Sequence, residues 1–490
     1  MKDYGELSVK RTKIICTLGP ACDSEEMLRQ MLETGMNAAR FNFSHGTHPE
    51  QEKRLERFLK VRDEIGIPAA AILDTKGPEI RTGNIDGYMQ LQEGQSFCLY
   101  CGSENCDTAY CCESDECPGV SITYACLCDE VKPGGTILID DGKIQLEITE
   151  ISGKTIRCRV ICGGLLSGHK GVNVPGVHVG MEYLTERDKN DLLFGIKHGF
   201  NYIAASFART SEDIRDLRRF LDENGGENIG IISKIENQEG VDNFSEILEL
   251  SDGIMVARGD MGVEIDYAGL PGIQKKIIRE CSRCGKIVIT ATQMLDSMMT
   301  CTMPTRAEIT DVANAVFDGS SAVMLSGETA AGKYPVQTVE TMVKIVRQAE
   351  EDMFAEGGWN SPPDKAGNRS NIAYAIGHAA CTTAADTDAK ALAAITASGH
   401  TAKMMAKFKP LQPIVGVTPY RDVFHSMSLV WGVIPVIEES EENWEILHEV
   451  TMKKIREYGL AEPGEYVVSS AGIPFNIKGN TNILRVDKIE

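Results

Sequence analysis

The stretch GIISKIENQEG (Gly230–Gly240), followed by SDGIMVARGDMGVEI (Ser251–Ile265), holds the same pattern twice. A near-continuous apolar run, Gly230–Lys234 and then Gly253–Ala257, stops abruptly in charged residues. Such a run is expected of a strand buried on both faces, with helices covering the sheet. Working outward, the same kind of run recurs at Lys13–Leu18, Asn37–Asn42, Ala69–Leu73, Asn201–Ala205, Lys286–Thr290 and Ser321–Leu325, which makes eight. Amphipathic runs with readable starts lie between them. Asp23-x-x-Glu26 reads as a capping box before Met27, Leu28 and Met31, and Thr185-x-x-Asp188 opens a run with Leu192, Leu193 and Ile196. Ser211 precedes Ile214, Leu217 and Leu221, and Thr305 precedes Ile309, Val312 and Val316. Eight βα units predict a (β/α)8 barrel whose chemistry gathers at the carboxyl ends of the strands.

One interval breaks the rhythm. After the third strand about a hundred residues pass before the next helix, with short alternating strands at Ser96–Tyr100, Thr136–Ile139, Ile144–Ile148 and Thr155–Ile161. Turn signals at Pro133-Gly134-Gly135, Asp140-Asp141-Gly142 and Ser152-Gly153 separate them. This reads as a small β-barrel inserted at the mouth of the main one, where it can close over a site and exclude water. Gly357-Gly358-Trp359-Asn360-Ser361-Pro362-Pro363 is a linker signature. Beyond it a helix over Asn371–Ala385 and strands Ala391–Thr396, Pro413–Val417 and Tyr466–Ser470 give a third unit. The expected organisation is an α/β chain: a barrel from 1–74 and 178–358, an inserted lid domain over 75–177 and a C-terminal α/β domain over 359–490.

The whole chain has 490 residues, enough for about three domains that each bury a core. Its formal charge is −21, a field that repels polyanions and anionic bilayers, so no nucleic acid and no membrane is expected as partner. The polar start has no apolar h-region and no run reaches a membrane span, so the expected location is cytoplasmic. Ten of the 16 cysteines lie between Cys98 and Cys162, including Cys98-x-x-Cys101, Cys111-Cys112 and Cys126-x-Cys128. One CxxC without a nearby histidine falls short of a zinc site, and unpaired thiols are the better reading. Cys281-x-x-Cys284 lies in a helical pattern and reads as packing.

The strand ends carry the chemistry. Arg40 and Asn42 end the second strand, followed by Ser44 and His45, and Asp74 and Thr75 follow the third. Lys234 and Glu236 end the fifth, and Arg258, Gly259 and Asp260 follow the sixth. Thr292 and Gln293 follow the seventh, Ser326 and Glu328 the eighth. Any one charge at a strand end reads as a solvated loop residue, but several on one barrel face do not. Lys234 and Glu236 are two apart, so extended backbone points both the same way. If Asp260 converges on Glu236, the two carboxylates suit Mg²⁺, and Lys234 becomes a point charge aimed at a moving phosphoryl group. Gly259 and Gly262 allow close backbone approach, and a helix starting there could hold an anion on its N–H groups. Arg40 and Arg81 are candidates for anion contacts. Asn42, Ser44, Asp74 and Thr75 form an oxygen-rich set able to hold a monovalent cation.

Gly327-Glu-Thr-Ala-Ala-Gly332-Lys333 nearly fits a P-loop, but Tyr334 and Pro335 stand where Ser or Thr is needed for the metal. In the third unit Thr396-Ala-Ser398-Gly399-His400-Thr401 joins a strand to a helix and forms either a phosphate nest or an ordinary capped turn.

These residues resemble one family, the pyruvate kinases. The matching stretches are IICTLGPA (Ile14–Ala21), GMNAARFNFSHGTH (Gly35–His48), DTKGPEIRTG (Asp74–Gly83), KGVNVPG (Lys170–Gly176), ISKIENQEGV (Ile232–Val241), SDGIMVARGDMGVEI (Ser251–Ile265), ATQMLDSM (Ala291–Met298), PTRAEITDVANAVFDG (Pro304–Gly319) and MLSGETAAGKYP (Met324–Pro335). They run in family order, and the likeness covers essentially the full chain. It implies transfer of the phosphoryl group of phosphoenolpyruvate to ADP, giving pyruvate and ATP. By motif, Lys234 would stabilise the moving phosphoryl, and Glu236 and Asp260 would hold Mg²⁺ or Mn²⁺. The Ala257–Asp260 turn (Ala257, Arg258, Gly259, Asp260) would bind the substrate carboxylate, Arg40 and Arg81 phosphate. Thr292 would sit near the enolate carbon, and Asn42, Ser44, Asp74 and Thr75 would ligate K⁺. Asn42, His45, Arg81 and Lys170 would meet the nucleotide. Glu79 matches the K⁺-requiring branch of the family. A homotetramer with ligand-dependent domain rotations is implied as well. A phosphorylated sugar or nucleotide effector would use Thr396, Ser398, Gly399 and Thr401, although Ala397 takes a position that is often basic, and Gly472–Asn482 offers Lys478 and no Arg. A metal-dependent lyase or aldolase on a related barrel is a second reading, and an inactive metabolite sensor a third. The presence of Lys234, Glu236 and Asp260 together speaks against the sensor.

Overall fold

A computed structural model describes residues 10–102, 118–358, 372–438, 443–475 and 479–490. The start of the chain, Cys111-Cys112, the linker from Trp359 onward, Asn371 and Lys478 lie outside the described residues.

All eight expected strands form, at Lys13–Thr17, Ala38–Asn42, Ala70–Asp74, Tyr202–Ala205, Gly230–Ile235, Gly253–Ala257, Ile287–Ala291 and Ala322–Leu325. They close into one parallel barrel in sequence order, the first pairing with both the second and the eighth. Side chains alternate between two cores, as period-two geometry requires. Ile14 and Cys16 pack outward under the helices, while Ile15 joins Ile72, Tyr202, Ile232, Met255 and Ile289 inside the barrel. Leu429 of the C-terminal domain belongs to that inner cluster, so the barrel's amino-terminal end is plugged by another domain. Tyr202 donates its hydroxyl to Ser426 O across the same junction, at 3.0 Å.

Two helix starts differ by one residue from the sequence reading. Ser24, not Asp23, caps Glu25–Thr34 by accepting from Met27 N, and Asp23 is held instead by the Arg54 fork at 2.7 and 3.0 Å. Thr210, not Ser211, caps Ser211–Glu223 in a capping box with Asp213. Adjacent hydroxyl or carboxylate residues compete for one cap, and each loser is engaged elsewhere: Asp23 by Arg54, and Ser211 through its hydroxyl, which donates to Glu246 at 2.9 Å. The boxes at Thr185 and Thr305 form as read.

The inserted interval is a seven-stranded sheet in the order Ile80–Arg81, Gly171–Asn173, Thr136–Ile139, Ile144–Ser152, Thr155–Cys162, Ser96–Cys101, Gly119–Ile122. A bridge between Thr82 and Ile122 joins its outer edges, so the sheet curls on itself. The strands with no sequence signal are two to four residues long, too short to show a period. The C-terminal domain has five strands, two of them unexpected, Val433–Ile437 and Ile483–Lys488. Both are edge strands. An edge tolerates Pro435 in one and the charged residues Arg485, Asp487 and Lys488 in the other, and each disguises the strand pattern.

Candidate active site

Parallel register brings the strand ends level. Asn42 pairs with Asp74, and Ala257 with Ala291. Around the mouth this assembles a buried charge cluster. Asp74 is 1% exposed; its Oδ2 accepts from Arg40 Nε at 2.6 Å and its Oδ1 from Lys234 Nζ at 3.2 Å. Lys234 Nζ also lies 2.8 Å from Ser206 Oγ and 2.9 Å from Glu236 Oε1. Glu236 Oε2 accepts from Phe207 N at 2.6 Å.

The electrostatics follow from burial and partners. Burial alone would raise the Asp74 carboxyl, but Arg40 and Lys234 together hold it below the ordinary range. Burial disfavours the Lys234 ammonium, yet Asp74 and Glu236 more than offset this and hold it above the ordinary lysine value. Glu236 goes the other way: burial pushes it up to about 8, Asp260 adds to the rise, and Lys234 pulls it back. Its Oε1, buried, has no hydrogen-bond donor in good geometry despite the nearby ammonium. An under-satisfied carboxylate oxygen beside a second carboxylate, Asp260, is a donor set that fits a hard divalent cation, which needs only one or two carboxylates from the protein. Among the described residues no three His, Cys, Asp or Glu side chains converge, so a richer, zinc-like cage is not built here. Asn42, Ser44, Asp74 and Thr75 share one end of the second and third strands, with Phe43 N bonded to Asp74 O at 2.9 Å, and offer oxygen donors only.

Next to the cluster, a cavity of about 840 Å³ opens between the barrel mouth and the inserted domain. His45, Arg81, Lys170, Asp260 and Glu264 line it. In this conformation Arg81 pairs with Glu79 at 2.7 Å and Lys170 with Asp140 at 2.9 Å. The inserted domain touches the barrel rim through Asn173 to Glu264 at 2.7 Å and His178 to Glu239 at 2.9 Å.

The turn after the sixth strand starts the short helix Arg258–Glu264, and its closeness to the seventh strand explains Gly259. A Cβ there would lie 2.8 Å from Thr292 Cγ2. Thr292 and Gln293 both have positive φ, 75° and 56°. For a β-branched residue that is a strained conformation of the kind kept at functional sites. Arg258, expected at the substrate carboxylate, sends its side chain elsewhere: it donates to Ala291 O and Thr292 O and pairs with Asp311. The Arg258 side chain is thus committed within the protein.

The P-loop lookalike offers no open amide cradle. Its Ala330, Ala331, Gly332 and Lys333 N–H groups donate to backbone carbonyls, and Glu328, 1% exposed, accepts from Ser326 N and Leu295 N. Thr396, Ser398, Gly399 and Thr401 lie in the C-terminal domain, apart from the cluster. Gly399, at φ 77°, begins the helix His400–Ala406, and the Thr401 hydroxyl is committed to Thr481 at 2.8 Å.

Two members of the cluster escaped the sequence reading: Ser206, after the fourth strand, and Thr17, which ends the first and accepts from Arg40 Nη1 at 3.1 Å. The signal was present. These are the carboxyl ends of the first and fourth barrel strands, and a neutral hydroxyl there draws less notice than a charge.

Comparison with known proteins agrees with the geometry. The family described as "Pyruvate kinase, barrel domain" matches residues 9–339, and "Pyruvate kinase, alpha/beta domain" matches residues 374–487. A protein of Clostridium acetobutylicum named pyruvate kinase is 46% identical over 484 residues, covering 98% of this chain and 100% of that protein. One of Clostridium perfringens with the same name is 44% identical over 98% of this chain and 100% of its own length, and one of Sporosarcina psychrophila is 44% identical over 98% and 81%. None of the helices among the described residues is long and apolar enough to cross a membrane. With its barrel, its C-terminal domain and nearly its whole length matched, the chain belongs to the pyruvate kinase family of phosphotransferases.

Proposed function

We propose that this chain transfers the phosphoryl group of phosphoenolpyruvate to ADP, giving pyruvate and ATP, as the closing step of glycolysis. The observation that carries the reading is Lys234, an ammonium that is 8% exposed, kept charged by Asp74 and Glu236, beside a cavity large enough for a nucleotide. A fixed positive charge in a dry site stabilises charge that moves between phosphoryl oxygens. The bond from phosphorus to the enol oxygen breaks, a bond to an ADP phosphate oxygen forms, and the enolate carbon takes a proton.

The chain's residues divide this work. Arg40, steadied by Asp74 and Thr17, contacts the phosphoryl group, with Arg81 as a second cation. The backbone of Ala257, Arg258, Gly259 and Asp260 holds the substrate carboxylate. Thr292 delivers the proton toward the enolate carbon through water. Asn42, His45, Arg81 and Lys170 meet the nucleotide, and opening the Arg81–Glu79 and Lys170–Asp140 pairs frees both cations for its phosphates. Glu236 and Asp260 would hold Mg²⁺ or Mn²⁺; Asn42, Ser44, Asp74 and Thr75 would hold K⁺. When bound, these ions neutralise the phosphoryl and carboxylate oxygens.

The working form is a homotetramer in the cytoplasm. A phosphorylated sugar or nucleotide effector would place a phosphate on the Thr396–Thr401 turn, near Thr396, Ser398, Gly399 and Thr401. The decisive experiment supplies phosphoenolpyruvate, ADP, Mg²⁺ and K⁺ to the purified chain and measures ATP and pyruvate in equal amounts. Pyruvate released without ATP would point to lyase chemistry and end the proposal.

A further inference from the structure

Ser206 has no role in the mechanism above, yet it is the least exposed hydroxyl in contact with the cluster, at 2%. It follows the fourth barrel strand directly. Its Oγ has two acceptors in reach for its one proton, Thr75 O at 2.6 Å and Asp74 Oδ1 at 3.1 Å, and with either one its lone pairs still accept from Lys234 Nζ, 2.8 Å away. Its N–H donates to Thr75 Oγ1 at 3.1 Å, so Ser206 and Thr75 grip each other in both directions. The chain beyond Thr75 is pressed onto the same spot. Gly77 has φ 69°, and a Cβ on it would stand 2.9 Å from Ser206 Cβ.

An ammonium has three protons, and Lys234 finds three oxygen partners: Asp74, Ser206 and Glu236. They are not equivalent. Glu236 is the one whose oxygen lacks good hydrogen-bond geometry. When substrate binds, its contact with the ammonium would be the one to give way, which would leave one N–H for the transferring phosphoryl group. Asp74 and Ser206 remain. Two fixed acceptors orient the third N–H of a tetrahedral ammonium, whereas one leaves it free to swing.

We infer that Ser206 is a positioning residue for Lys234: it aims the ammonium and ties it to the Asp74–Thr75 segment. The inference rests on the proposed phosphoryl transfer. Because the effect passes through orientation in the transition state, it falls on kcat rather than on substrate binding.

The test is Ser206→Ala in the full chain, assayed for ATP formation from phosphoenolpyruvate and ADP beside the unaltered protein. The expected result is a fall in kcat of about 10- to 100-fold, with KM for phosphoenolpyruvate within about threefold and the melting temperature nearly unchanged. In a Lys234→Arg background, where the guanidinium no longer needs that acceptor, the same substitution costs less than about threefold further. A kcat within about twofold of the unaltered protein overturns the inference, as does a loss that appears in KM instead, or one that repeats in full in the Lys234→Arg background. If the unaltered protein itself forms no ATP, it is the functional reading that has failed, and the two failures are told apart by that control.

Discussion

Arg258 holds Thr292 in place: its Nη2 lies 2.6 Å from Thr292 O and its Nε 3.1 Å from Ala291 O, while Nη1 is anchored on Asp311 at 2.7 Å. The residue it holds has a φ of 75°, which a threonine adopts only under constraint. A strained backbone persists when its surroundings over-determine it, and here a charged fork grips the carbonyls of the two peptide groups that flank Thr292.

Releasing that grip lets Thr292 relax toward an ordinary conformation and away from the Gly259 turn. Arg258→Met is expected to lower kcat by about 10- to 100-fold, the scale of an ångström's misplacement, with Asp311→Asn milder because both carbonyl bonds survive. Steady-state kinetics of the two variants against phosphoenolpyruvate check this. A loss confined to KM would instead mean that the guanidinium touches the substrate.

Lys234→Met removes the point charge and keeps most of the side chain's volume. Phosphoryl transfer is expected to fall by about 10³-fold or more. Asp74 retains Arg40 and stays charged, so the fold survives, as circular dichroism and a thermal melt would show. Turnover within about tenfold of the unaltered protein would remove Lys234 from the mechanism.

The oxygen set at Asn42, Ser44, Asp74 and Thr75, together with the family likeness at Glu79, leads to the expectation of a K⁺ requirement. Replacing K⁺ by Na⁺ at constant ionic strength should lower the rate roughly tenfold or more, the factor that about 1.4 kcal/mol of lost transition-state stabilisation gives. Equal rates in the two salts would refute it.

At the other end of the barrel, Lys13 and Lys409 are buried where the C-terminal domain docks, and donate to Val433 O and Gly319 O. Burial is the main cause that brings both ammonium groups down to about 7 from the usual 10.5; Lys10 adds to the fall at Lys13, and Glu350 opposes it at both. Between those two pH values the unfolded chain binds more protons than the folded one, so stability rises with pH from near 7 and levels off above the unfolded value. Lys409→Met removes one of these protons. Urea unfolding between pH 7 and 9 should then show a slope smaller by roughly 1.4 kcal/mol per pH unit at most. An unchanged slope would show that Lys409 keeps its charge when folded.

The linear order of residues was enough for the barrel. Eight apolar runs such as Gly253–Ala257 are strands because only a strand covered on both faces tolerates such continuity, and a parallel set of eight closes. It was also enough for Lys234, Glu236 and Asp74 as candidates, since charge at the end of a buried run is conspicuous, and the family likeness gave them roles. What it could not supply was the choice among partners in space. Ser206 and Thr17 look like ordinary hydroxyls until register sets them against Lys234 and Arg40, and Arg258 looks like a substrate ligand until its fork is seen on Ala291, Thr292 and Asp311. The edge strands Val433–Ile437 and Ile483–Lys488 stayed hidden for a related reason: a strand with one neighbour is free of the pattern that two neighbours impose. Local order fixes which side chains leave a strand at its end and on which face; which of them then meet depends on the closure of the barrel, and contacts across 28 to 160 residues of chain, such as Lys234 with Ser206 and with Asp74, exist only once that closure has formed.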